Sequence, residues 1–171
     1  MASHAPKQYP PIKGLRWHRD QYYSFFIPDD WYQCDWSDDR TGVIYAPEET
    51  DLQTVFAVDI KDLGTRIEPE DLDVLAEAFF ESIHQLPQAA LESQDQRVAG
   101  RQLELEAKYT FEEQGQTRKR WVRVFYLGQW QIAMTAQGAT PEKYQYWLPW
   151  FFQAMMTAKV HYSKPNLNIF G

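Results

Sequence analysis

The chain has 171 residues and a formal net charge of −7, from 24 Asp+Glu against 17 Lys+Arg. Its 44% hydrophobic and 24% charged residues exclude a disordered or fibrous chain, and its length suits one domain that hides about 70% of the unfolded surface. The acidic balance argues against a nucleic-acid binder, whose mark is a basic face.

Residues 1–16 read as an irregular arm with Lys7, Lys13 and Arg16 and no acid. The arm has no apolar run, so no secretory signal is expected, and no stretch of the chain offers the roughly 20 apolar residues of a membrane span. Cys34 is the single cysteine, which forbids an intrachain disulfide and a CxxC pair. A cytoplasmic protein is the expectation. One domain is expected over residues 17–162, with a polar tail at 163–171.

A strand-rich stretch follows the arm. Tyr22–Pro28 is aromatic and ends at a Pro-Asp-Asp turn signal; Trp31–Trp36 is a second short strand, closed by the turn Asp38–Gly42. Strands are expected next at Gly42–Pro47 and Thr54–Leu63. Pro69 suits a first helical position, and Glu68, Glu70, Asp71 and Asp73 place negative charge at the positive end of the helix dipole. Leu72, Leu75, Ala76, Phe79, Ile83 and Leu86 recur at helical spacing, and Pro87 stops the helix.

An antiparallel meander comes next. Leu103, Leu105, Ala107, Tyr109 and Phe111 alternate with polar residues, the period of a sheet with one solvated face. A turn falls around Gly115, and Gly128-Gln129 makes a hairpin with Gly at its first central position. The last helix opens with Thr140 as N-cap and Pro141 in the first turn. Tyr144, Leu148, Phe151 and Met155 form its stripe, with Trp147 and Phe152 at the edges, and Pro149 is expected to kink or shorten it. The fold class expected is α+β, an α/β/α sandwich with an antiparallel sheet flanked by helices.

This order of elements, with an aromatic strand running into Pro28-x-x-Trp31, resembles the PsbP-like superfamily: the photosystem II extrinsic protein, Ran-binding import factors and DcrB-like bacterial proteins. The matching stretches, Tyr23–Trp31, Val55–Ile60, Asp71–Ile83 and Leu103–Met155, span most of residues 22–160. The resemblance implies a protein-binding scaffold and supplies no catalytic motif.

Charge is sorted along the chain. Residues 20–95 carry nineteen acids and three bases, whereas the segments on either side are basic. An acidic surface that steers a basic protein partner is one reading; solvated faces neutralised within the fold are the other. Asp29, Asp30, Asp35, Asp38 and Asp39 are its densest part. Their spacing is not that of an EF-hand, turns collect Asp for backbone reasons, and no metal or other cofactor is expected. The four histidines and the serines form no catalytic arrangement, and no glycine-rich phosphate loop is present. Glu104 and Glu106 share a strand face, with Arg118 and Arg120 as the expected cross-strand partners.

Tyr146 and Trp150, with Lys143, share a helix face opposite the Tyr144, Leu148, Phe151 stripe. Either they recognise a partner, a second copy through the C-terminal helix included, or another part of the chain covers them. The expected function is a non-enzymatic protein-binding module. The alternative is a small-molecule binder or enzyme with an aromatic pocket between sheet and helix, lined by Tyr109, Phe111, Phe125 and Trp130.

Overall fold

A computed structural model describes residues 10–161 apart from residue 12. The expectations for the rest of the arm and for the tail at 163–171 lie outside the described residues. Strands β1 (Leu15–Arg19) and β2 (Tyr23–Pro28) form a hairpin, and β3 (Tyr32–Cys34), β4 (Thr41–Ala46) and β5 (Val55–Asp62) follow. A single 3₁₀ turn, Pro69–Asp71, leads into helix α1 (Leu72–His84). The meander is β6 (Ala90–Ala99), β7 (Gln102–Glu113), β8 (Gln116–Leu127) and β9 (Trp130–Gly138); helix α2 (Pro141–Thr157) and a two-residue β10 (Lys159–Val160) complete the described chain.

Seven strands make one antiparallel sheet in the order β3-β4-β5-β9-β8-β7-β6, and β1-β2-β10 make a second, smaller one. The architecture is α+β, with one helix on each face of the large sheet. Side-chain alternation divides the core between those faces. Tyr45, Phe56, Val58, Trp121, Phe125, Ile132 and Met134 face α2 and the β1–β2 hairpin, where they meet Tyr23, Phe25, Ile27, Tyr144, Phe151 and Met155. Leu103, Leu105, Tyr109, Phe111, Val122, Val124 and Tyr126 face α1, where Ala76 and Ile83 close over them.

Trp31 of the Pro28-x-x-Trp31 motif is buried, and its ring makes edge contacts with Trp147 at 5.7 Å and Phe151 at 5.8 Å, pinning the start of β3 to α2. The Thr140 hydroxyl accepts from the Lys143 amide at 3.2 Å, as an N-cap should.

Several local expectations change. Leu15 and Arg16 of the presumed arm belong to β1, and Ala90–Ala99 is a ten-residue strand with no detectable period because almost every side chain is exposed. Helix α2 continues through Pro149 to Thr157. Both Pro149 and Gln145, whose carbonyl loses its partner, lie on the exposed side, where the carbonyl is open to solvent. The face of β7 read as solvated is not wholly so: Glu104 is only 7% exposed. Register also corrects its partners. Arg118 and Arg120 stand opposite Phe111 and Tyr109, whereas Glu104 pairs with Arg97 at 3.0 Å and Arg123 at 2.7 Å.

Candidate binding surfaces

Of the residues singled out on the last helix, Tyr146 and Trp150 are half-buried and pack against the main core. Tyr146 makes an edge contact with Trp147 at 4.8 Å. The indole N–H groups of Trp31, Trp147 and Trp150 are buried without an acceptor among the described residues, so these rings act there as apolar bodies. Lys143 lies apart from them in its contacts: its ammonium bonds Asp51 at 2.6 Å and approaches Glu48 at 3.7 Å. The Asp51 and Glu48 carboxylates beside it push the Lys143 pKa up, the hydrogen bond it donates to Asp51 contributing most. The outward side of α2 carries Phe152 and Met156, 53% and 51% exposed.

The acidic cluster does not converge. Asp30 is bonded by Lys13 at 2.6 Å, and Asp38 holds the Arg40 guanidinium through both carboxylate oxygens. That grip, chiefly the hydrogen bonds from the Arg40 side chain, lowers the Asp38 pKa. Asp29, Asp35 and Asp39 make no ion pair among the described residues. No group of three or more His, Cys, Asp or Glu side chains there could hold a metal ion.

The four aromatics expected to line one pocket are split by the sheet. Tyr109 and Phe111 face α1, Phe125 faces α2, and the Trp130 ring lies tilted against Tyr22 at 4.3 Å near the edge of that core. The sheet separates these residues because successive side chains point to opposite faces.

Two surfaces emerge that residue spacing did not reveal. The first is the outer side of the β1–β2 hairpin. Trp17 and Phe26 are directly paired across the strands, with their rings stacked at 6.3 Å, and they are 51% and 38% exposed. Arg19 lies over the Trp17 ring at 5.1 Å, and Leu15 extends the patch. The inner side of the same strand sends His18 into the core, where its Nδ1 is 2.6 Å from the Tyr45 hydroxyl. Burial lowers the His18 pKa; Asp20 opposes this and Arg16 adds to it.

The second surface is a groove of about 490 Å³ on the α1 face, over the strands that α1 leaves uncovered. Ile44, Val55 and Ala57 line its apolar part, Trp36 and Arg40 one wall, and Arg120 with Gln137 another. Trp36 donates to the Val58 carbonyl at 2.9 Å, and Arg40 stacks on its ring at 3.9 Å. Beside this wall, burial raises the Asp59 pKa against the opposing pull of Arg40.

No family model matches the chain, and no curated protein matches it. Solved structures do. The solution structure of cyanobacterial PsbP (CyanoP) from Synechocystis sp. PCC 6803 superposes with a TM-score of 0.60 at 15% identity, covering 88% of this chain and 95% of that one. LpqN, involved in cell envelope biogenesis of Mycobacterium tuberculosis, gives a TM-score of 0.60 at 11% identity over 88% and 91% of the two chains. PA94 of Pseudomonas aeruginosa, described as a protein of unknown function and putative regulator, gives 0.56 at 18% identity over 89% and 99%. The fold is PsbP-like.

Proposed function

We propose that this chain is a non-catalytic module that binds a protein partner through the outer face of the β1–β2 hairpin. The Trp17–Phe26 stack carries the reading: a paired, half-exposed Trp and Phe capped by an arginine is the residue set that anchors protein interfaces. The hairpin's edge strand, Leu-Arg-Trp-His-Arg, holds no acid. A partner segment offering an apolar side chain to Trp17 and a carboxylate to Arg19 fits it. The PsbP-like fold supports a binding role over a catalytic one, and a lone free thiol at Cys34 suits the cytoplasm.

Comparative capture from native lysate tests this. A protein retained by the wild-type chain and lost with Trp17→Ala and with Arg19→Gln, both variants still folded, supports the reading. Equal retention by all three chains overturns it. Should retention survive these changes yet disappear at high salt and with Asp29→Asn, Asp35→Asn and Asp39→Asn combined, the acidic surface and a basic partner are indicated instead. Self-association through α2 would use Phe152 and Met156, and light scattering of Phe152→Ser against wild type reads it directly.

A further inference from the structure

Arg120 lies in the groove on the α1 face with an unusual set of partners. Its Nε and Nη2 both donate to the Gln137 Oε1, at 2.9 and 2.6 Å, and its Nη1 donates to the Tyr109 hydroxyl at 3.3 Å. The guanidinium stacks on Phe111 at 4.4 Å. Gln137 is itself fixed, since its amide nitrogen donates to the Gln53 carbonyl at 2.8 Å, which turns its oxygen toward Arg120. All these partners are neutral. Among the described residues no carboxylate lies within ion-pair distance of Arg120, whereas neighbouring Arg118 and Arg40 are matched with Glu113 and Asp38.

A half-buried cation held by neutral groups is incompletely compensated, and its orientation is already set before any ligand arrives. A guanidinium has five N–H donors in a planar fork. The contacts above use three, leaving two, the number that a carboxylate takes in a bidentate pair. The groove is of small-ligand size, and Ile44, Val55 and Ala57 offer apolar surface to the rest of such a molecule. Asp35 and Glu113 also line the groove, and they oppose a dianion such as phosphate more strongly than a single carboxylate.

We propose that this groove is a binding site for a small monocarboxylate with an apolar body, its carboxylate on Arg120 and its body over Ile44, Val55 and Ala57. The site is separate from the β1–β2 surface and stands whether or not that surface binds a protein.

Benzoate is the probe, titrated into the full chain and followed by the Trp36 indole N–H, the Arg120 Nε–H and the backbone amides of Gln53 and Thr135 in ¹H–¹⁵N spectra. Saturable shifts at these groups are expected. Neutral benzamide and Arg120→Gln should each weaken binding by about tenfold or more, and Arg120→Lys should fall between, keeping charge without the fork. Thr135→Phe, which fills the groove and leaves Arg120 in place, should abolish binding; it keeps the test decisive if the Arg120 variants unfold. Inorganic phosphate should give no saturable shift. Failure of benzoate to saturate, equal binding of benzamide or phosphate, or indifference to the groove-filling change overturns the proposal.

Discussion

The Arg123 guanidinium joins the Glu104 carboxylate, 2.7 Å away, to the Met155 backbone carbonyl in the last turn of α2. Both side chains are nearly enclosed, at 12% and 8% exposure. One residue therefore satisfies a buried acid of the sheet and a helix-terminal carbonyl that has no intrahelical partner. Arg123→Met should cost about 3 kcal/mol, since it leaves Glu104 with only the more exposed Arg97. The double change Glu104→Leu/Arg123→Met should recover much of that loss. Urea midpoints of the two singles and the double give the coupling directly.

Gly42 should tolerate no side chain. Its φ is +148°, and a Cβ there would lie 1.9 Å from the Val58 carbonyl oxygen and 3.2 Å from the Trp36 Nε1. Gly42→Ala must part β4 from β5 and break the Trp36–Val58 hydrogen bond. A loss of at least about 3 kcal/mol is expected, with a shifted Trp36 indole resonance as the structural sign.

Stability should fall as the solution is acidified through the histidine range. Burial depresses the folded-state His18 pKa below the unfolded value of about 6.5. Between the two values the unfolded chain binds more protons, so stability is complete above the unfolded pKa and declines as pH drops toward the folded one. The facing groups Asp20 and Arg16 pull in opposite directions. Denaturation midpoints at about pH 7.5 and 5.5 should differ in wild type, and the difference should shrink in His18→Phe.

Lys143 should contribute to stability whatever its part in recognition. Burial works against the Asp51 carboxylate, but hydrogen bonds from Lys143, Thr54 and the Gln53 amide outweigh it and hold the pKa below its ordinary value. A depressed acid stabilises above its unfolded pKa, and the gain is lost as pH falls through the folded one. Lys143→Met should therefore cost up to about 1 kcal/mol at neutral pH, discounted for the partly exposed lysine. The gap from wild type should close below about pH 4, as thermal melts across that range can show.

What was legible in the chain is what local chemistry specifies. Thr140 and Pro141 mark the start of α2, Leu103 to Phe111 alternate because one face of β7 is buried, and Gly128 turns β8 into β9. Strand β6 shows no period because nearly all of its side chains are exposed, the apolar Val98 included; pairing with β7 makes it a strand. Helical spacing leaves open whether Tyr146 and Trp150 are free or covered, because it shows only which residues share a side, not what packs beside it. Spacing alone does not place Arg120 opposite Tyr109, because alternation shows only that side chains change face along a strand, while register decides what stands across from each.

The α+β class, the antiparallel meander and the capped helix can all be read from local residues, since they follow from period, turn residues and caps within a few positions of each other. Even its polarised charge was plain from counting. How that charge is used depends on long-range contacts: Asp30 and Asp38 are matched within the chain, while Arg120 is left with neutral partners over an open groove. They also decide which aromatics remain outside, because Trp17 and Phe26 become a pair only when β1 folds back on β2. Long-range pairing brings together residues whose separation in the chain carries no trace of their contact.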